Sequence, residues 1–195
     1  MQPLDILYQY VSNRIAVTDE QWDIVRACVS VRTFQRKEII WAAGDACRYG
    51  LFVAKGCLRS YVLDEKGKEH VLYFAPENWW MVDNPSLLQS RPSLFFADAI
   101  EPTECLVFDK RAFENVMMQF DQTKNILITL LQNNLSTLQR RLIFTLSRTA
   151  QERYLDFVQT YPDLVQRVPQ RMIASYIGVT PEFLSRIRQD LATKK

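Results

Sequence analysis

Four polar side chains near the end of the chain have the spacing of one exposed helix surface: Glu182, Ser185, Arg186 and Gln189. Together they offer a carboxylate, a hydroxyl, a guanidinium and an amide, which between them donate and accept hydrogen bonds. Leu184 and Ile187 lie among them at helical spacing and point another way. We therefore expect a helix that buries the two apolar residues and leaves the polar ones free to meet solvent or a ligand.

A second helix is expected just before this one, in the first half of residues 169–191. Its apolar positions fall at helical spacing, at Met172, Ile173, Tyr176 and Ile177. Gly178 then supplies a residue that tolerates positive φ, as a sharp turn requires. Thr180 is a good N-cap, and Pro181 suits the first position of the next helix. The stretch predicts two short helices joined by a tight turn.

Two helices joined in this way form a helix-turn-helix, whose second helix enters the major groove of DNA. An ordinary helical hairpin with a solvated charged face is the alternative. We favour DNA binding because a small Ala174, a glycine four residues later, a Thr-Pro cap and an arginine-rich second helix occur together. A ligand-sensing module that uses these helices for protein contacts is a further alternative.

The segment from Gln170 to Arg188 resembles the C-terminal module of the Crp/Fnr transcription regulators, and the order of parts over residues 20–191 is that family's. The resemblance implies that Glu182 and Arg186 contact cytosine N4 and guanine O6 and N7. Pro181 stands where the family often has a basic residue. Further DNA contacts, several to phosphates that position without specifying, are implied at Gln170, Arg171, Thr180, Pro181, Ser185 and Arg188. The resemblance also implies a homodimer and contact with RNA polymerase.

Charge is unevenly distributed along the chain. Residues 140–195 hold ten Lys/Arg and five Asp/Glu, whereas the whole chain has a net charge of only +2. A basic C-terminal part suits contact with phosphates, which supply most non-specific DNA affinity. The sequence has no run of 18 apolar residues and no basic N-terminus followed by an apolar stretch. We therefore expect no membrane span, no signal peptide and a cytoplasmic protein.

The sequence pattern changes from helical over residues 3–30 to β-rich from residue 33 to residue 108. Short β-rich runs alternate with turn signals there, and DEKGK at 64–68 marks a hairpin. At least six such strands predict an antiparallel sandwich or roll. The run LFVAKGCLRSYV at 51–62 resembles part of the cyclic-nucleotide-binding β-roll, with Gly56 at the turn. The predicted fold class is α+β, with a jelly-roll-like sensor domain, a long dimerisation helix and a helix-turn-helix domain.

The residues at the expected effector pocket depart from the family pattern. Members that bind cyclic AMP have a Gly-Glu pair and an Arg-Ser-Ala segment, whose acid holds the ribose and whose arginine pairs with the phosphate. Met81-Val82 and Ser93-Leu94-Phe95 stand at those places here. We expect no response to cyclic AMP. The candidate residues for a pocket that takes another small-molecule effector are Trp80, Met81, Val82, Arg91, Ser93 and Leu94.

The residue types do not favour metal, cofactor or enzyme chemistry. The four cysteines are scattered without a C-x-x-C pair, and the chain has a single histidine, which disfavours a zinc or iron–sulfur site. The sequence also lacks a Ser/His/Asp set and a P-loop. We expect no metal site, no resident cofactor and no catalytic residues.

A heptad seam runs along a long helix predicted over residues 121–147. Its apolar residues recur at steps of 3, 4, 3 and 4, at Ile128, Leu131, Leu135, Leu138 and Leu142. Such a and d positions predict a dimer interface, although a helix buried against its own domain would show the same pattern. Gln139, Arg140 and Arg141 flank the seam and are expected to be solvated.

Three parts follow from these patterns: a β-roll with flanking helices over 1–120, the long helix over 121–147 and the helix-turn-helix domain over 148–195. The Crp/Fnr family usually adds a β-hairpin wing after the second helix of the motif. The sequence stops four residues after Leu191, which leaves little or no room for one. Lys194 and Lys195 could supply the phosphate contacts of such a wing.

Overall fold

Two compact units make up the chain in the computed structural model, which describes residues 1–119 and 121–193. The first unit comprises Met1–Val62 and Tyr73–Leu130. The second comprises Leu63–Leu72 and Leu131–Lys195.

The strands form two four-stranded sheets. They are β1 (Ser30–Phe34), β2 (Ile39–Trp41), β3 (Tyr49–Lys55), β4 (Leu58–Leu63), β5 (Glu69–Ala75), β6 (Trp80–Met81), β7 (Phe96–Ala99) and β8 (Thr103–Asp109). The orders are β1-β8-β3-β6 and β2-β7-β4-β5. Because β8 pairs antiparallel with both β1 and β3, and β7 with both β2 and β4, the predicted antiparallel roll is confirmed.

Helices flank the roll and make up most of the second unit. They are α1 (Pro3–Ser12), α2 (Asp19–Ala27), α3 (Asn84–Gln89), α4 (Lys110–Gln119), α5 (Asp121–Ser147), α6 (Ala150–Thr160), α7 (Leu164–Arg167), α8 (Gln170–Ile177) and α9 (Pro181–Thr193). None of the helices in the described ranges is long and apolar enough to cross a membrane.

The start of strand β1 differs from the sequence prediction, in which the helical region ends at residue 30 and the sheet begins at residue 33. The strand begins at Ser30 and pairs with β8 from Ser30↔Val107 to Phe34↔Thr103. Its first four side chains are exposed, so the segment lacks the apolar alternation that marks a half-buried strand. Pairing with a distant strand, rather than a local pattern, creates β1.

The main core lies between the two sheets, because strands of both contribute buried apolar side chains to it. Its fully buried members include Phe34, Leu51, Val53, Leu58, Met81, Ala97 and Cys105. Phe52, between Leu51 and Val53, points to the opposite face of its sheet, as strand geometry requires. There it joins a second apolar cluster with Leu7 and Tyr10 of α1.

A buried ion pair joins β4 to β7 on the face of their sheet opposite the main core. Arg59 donates from Nε and Nη2 to Asp98 Oδ1 and Oδ2, at 2.7 and 2.8 Å. Its guanidinium also lies over the ring of Tyr61, 4.2 Å from the centroid. Both charged side chains are buried. The two parallel hydrogen bonds between them offset the free-energy cost of removing the charges from water.

Candidate nucleic-acid interface

Helices α8 and α9 are joined by a tight turn at Gly178, whose φ is +75°. The N–H of Val179 donates to the carbonyl of Ala174 at 2.9 Å and so closes the end of α8. At the start of α9, the hydroxyl oxygen of Thr180 accepts the N–H of Phe183 at 3.3 Å. The glycine bend and the threonine cap therefore occur where the sequence predicted them.

Apolar side chains on the inner faces of both helices fix their mutual packing. Those buried on α8 are Met172, Ile173, Ala174 and Ile177. Leu184 and Ile187 are buried on α9, and Leu184 is fully inaccessible to solvent. Ala174 is also fully buried. The second helix is thus held by one face, and its other faces are available for contact.

The exposed residues of the motif that are expected to contact DNA, together with Gln189, are here called the reading face. It comprises Gln170, Arg171, Thr180, Pro181, Glu182, Ser185, Arg186 and Gln189, all of them exposed. Arg188 is half-buried beside it. Every DNA-contacting residue expected from the sequence is therefore accessible. Lys194 and Lys195, the possible substitutes for a wing, lie outside the described residues.

Glu182 is held in its charged form at the start of α9. Hydrogen bonds from its own backbone N–H and from the Thr180 hydroxyl lower the pKa of this carboxyl group below its usual value. A carboxylate near a helix N-terminus is also favoured by the helix dipole. At neutral pH the side chain is therefore a hydrogen-bond acceptor, as contact with an amino group of a base requires.

Arg141 of α5 positions α8, a role that the sequence pattern did not reveal. Instead of being solvated, its guanidinium donates to the carbonyls of Val71 and Tyr176, at 2.8 and 2.9 Å, and to that of Leu72. It also lies over the Tyr176 ring, 4.3 Å from the centroid. Burial lowers the pKa of Arg141 from its ordinary value. One side chain thus ties α5, β5 and α8 together.

Two further side chains support the same arrangement. The Ser175 hydroxyl donates to the carbonyl of Glu69 at 2.7 Å and accepts the N–H of Val71 at 3.0 Å. On the side of α6, Arg153 donates from Nε to the carbonyl of Ile177 at 2.8 Å. Side chains thus satisfy carbonyls at the end of α8, where the helix itself cannot. No local sequence pattern signals these partners, because they are distant along the chain.

Comparison with known proteins agrees with this architecture. Residues 31–120 match the cyclic nucleotide-binding domain family. FixK2 from Bradyrhizobium japonicum superposes with a TM-score of 0.76 at 21% identity, over 85% of each chain. A Crp/Fnr-family transcriptional regulator from Eubacterium rectale gives 0.70 at 16% identity, over 93% of this chain and 88% of that one. The chain has the Crp/Fnr fold.

A third structure with the Crp/Fnr fold is CLP of Xanthomonas campestris, described as a cyclic-di-GMP-responsive global regulator. It superposes with a TM-score of 0.71 at 13% identity, over 91% of this chain and 93% of CLP. No curated protein matches the sequence.

The predicted seam is an exposed apolar stripe on the long helix of this Crp/Fnr fold. Ile128, Leu131, Leu135, Leu138 and Leu142 are between 42% and 60% exposed in the single chain. Arg140 is exposed, as expected, and pairs with Asp156 of α6. An apolar stripe of this length on one helix face is typical of an interaction surface.

The six expected effector residues of the Crp/Fnr-type roll do not face one cavity. Met81 is buried in the main core, whereas Trp80 packs on Phe52 and Phe108 in the second cluster. Val82 is half-buried, and Ser93 is buried and donates its hydroxyl to the carbonyl of Phe95 at 2.8 Å. Arg91 and Leu94 are exposed.

A pocket of about 320 Å³ opens elsewhere on the roll, at the connection between β2 and β3. Its walls are formed by Ile40, Trp41, Asp45, Ala46, Cys47, Arg48 and Tyr49. These residues were not singled out from the sequence, and none of the six expected effector residues is among them. Groups of three or more His, Cys, Asp or Glu side chains suited to a metal ion do not occur within residues 1–119 and 121–193.

Proposed function

We propose that this chain is a sequence-specific DNA-binding transcription regulator that acts as a dimer and does not respond to cyclic AMP. The observation that carries the proposal is the reading face. α9 buries Leu184 and Ile187 and leaves Glu182, Ser185 and Arg186 exposed on its other side. An exposed helix of this kind, presented after a tight turn, has the shape and the hydrogen-bonding groups that major-groove reading requires.

The proposal is tested by binding to duplex DNA at several salt concentrations. Selection from a random duplex pool would first supply a high-affinity sequence. If Arg171 and Arg188 of both protomers neutralise phosphates, the logarithm of the association constant should fall against the logarithm of salt with a slope of about −4. A protein that uses α8 and α9 only for protein contacts would enrich no sequence and would show no such slope.

Replacing Arg186 by alanine should relax base preference at one position of each half-site. Loss of a guanidinium that donates to guanine O6 and N7 is expected to cost about 1–3 kcal/mol on the selected duplex. The variant should then bind duplexes with and without that guanine about equally. Titrations of wild type and variant against both duplexes measure the difference.

Arg188 supplies the matched control, since it is the same residue type two positions later on α9. If Arg188 contacts a phosphate, Arg188→Ala should weaken binding to every sequence about equally. It should also reduce the magnitude of the salt slope by about one per contact. Uniform weakening by Arg186→Ala, with the preference for the guanine intact, would contradict base reading by Arg186.

Titration calorimetry with cyclic AMP should show no binding. A phosphodiester anion calls for a guanidinium and backbone donors. Met81, Val82, Ser93 and Leu94 carry no charge, Arg91 is exposed, and Arg59 is engaged with Asp98. Micromolar affinity for cyclic AMP would contradict the expectation. The same titration with cyclic di-GMP, the signal named for the Xanthomonas regulator, tests a second nucleotide.

A further inference from the structure

Phe183 is a large apolar side chain on the accessible surface of α9. It is 47% exposed, and among the phenylalanines whose side chains the structure describes it is the only exposed one. Leu184 and Ile187 already supply the buried face of the helix. About half of the Phe183 surface is therefore not covered by other parts of the chain.

The backbone holds Phe183 at a defined place in the first turn of α9. Its N–H donates to the hydroxyl oxygen of Thr180 at 3.3 Å, so the cap fixes the residue relative to the turn. Phe183 directly follows Glu182 and lies three residues before Arg186, and residues three apart are neighbours on a helix surface. The ring therefore borders the reading face on the side of Arg186.

We infer that Phe183 is a specificity-determining residue that contacts the C5-methyl group of a thymine in the major groove. The inference rests on the proposed DNA-binding function and adds to it a contact that hydrogen bonding does not supply. A phenyl ring has no donor or acceptor, so it cannot bind a phosphate oxygen or a polar base edge. The methyl group of thymine is the apolar group that the major groove presents.

The position of Phe183 on α9 also predicts which base pair it contacts. The N-terminal residues of a recognition helix contact base edges, and Phe183 is in that turn. Because Arg186 is its neighbour on the helix surface, the thymine should lie next to the guanine that Arg186 reads. The reading face would then combine one polar and one apolar contact at adjacent base pairs.

Replacement of thymine by uracil tests the contact, because it removes only the methyl group. Starting from the selected duplex, each thymine is changed singly to uracil, and the affinity of the full-length protein is measured by fluorescence anisotropy. We expect one sensitive thymine in each half-site. Loss of one buried methyl group should weaken binding about fourfold, and loss of one methyl group in each half-site about fifteenfold.

Three variants assign the effect to the ring. Phe183→Ala should bind the thymine and uracil duplexes equally, and Phe183→Leu should restore part of the difference because it keeps an apolar side chain. Leu155→Ala is the matched control, since Leu155 on α6 is 46% exposed and lies away from the reading face along the chain. It should keep the full sensitivity to uracil. Because both side chains are half exposed, these variants should fold.

The outcomes separate this inference from the function on which it rests. Wild-type protein that enriches no duplex would contradict the proposed function. Wild type that binds tightly but has no thymine sensitive to uracil would overturn the role of Phe183 alone. So would a Phe183→Ala variant that keeps the wild-type sensitivity, a result that would instead indicate that the exposed ring contacts another protein.

Discussion

Replacing Leu135 by glutamate is expected to convert the protein from a dimer to a monomer and to lower its affinity for a two-half-site duplex by about 10²–10⁴-fold. Leu135 is 56% exposed at the centre of the apolar stripe on α5, so the change should leave the fold of the single chain intact. In a two-fold dimer the same residue faces its own copy across the seam. Two glutamates would then be brought together in an apolar interface, where charge is costly.

The affinity falls because each helix-turn-helix then binds its half-site alone. In the dimer, binding of one half-site holds the second motif at a high effective concentration near the other. Sedimentation velocity measures the oligomeric state, and anisotropy measures DNA binding. Asn133→Glu is the matched control, since this exposed residue lies on the side of α5 away from the seam and carries the same new charge. A Leu135→Glu protein that remains a dimer would contradict the assignment of the seam.

Replacing Asp98 by alanine should have the largest effect on stability, lowering the free energy of unfolding by about 3–5 kcal/mol. The change leaves the Arg59 guanidinium buried without the carboxylate that accepts two of its hydrogen bonds. Chemical denaturation followed by tryptophan fluorescence reports on this site directly. All four tryptophans, at positions 22, 41, 79 and 80, belong to the same unit as Arg59 and Asp98.

Two comparisons show whether the lost partner is the cause. The double variant Arg59→Met with Asp98→Leu removes both charges, and it should be much closer to wild type because no buried charge is left unpaired. Asp23→Ala removes one partner of the exposed pair with Arg26, and it should change the denaturation midpoint little. A double variant as unstable as Asp98→Ala would show that packing, rather than the unpaired charge, accounts for the loss.

Short-range sequence patterns predicted the helix-turn-helix. Met172, Ile173 and Ile177 recur at helical spacing, and Gly178 and Thr180 mark the end of one helix and the start of the next. Each of these signals depends on residues within about one or two turns of each other. The same reasoning predicted the long helix and most strands of the roll, since periodicity and turn chemistry act locally.

Tertiary structure decided which polar residues are structural. Arg141 looks like any solvated arginine beside a heptad seam, yet it is half-buried and holds α8 through the carbonyl of Tyr176, 35 residues away. Arg59 finds Asp98 only because β4 pairs with β7. Strand β1 exists because β8 pairs with it, although its own first four side chains are exposed.

The division has a physical reason. A helix, a cap or a turn is stabilised mainly by contacts between residues close in the chain, so the amino-acid sequence by itself determined these elements and the residues on each of their faces. Burial of a charge, the partner of a strand and the exposure of Phe183 depend on chain segments that meet only after folding. Those features were set by the tertiary structure, and one of them, the exposure of Phe183, affects what the accessible face of α9 can contact.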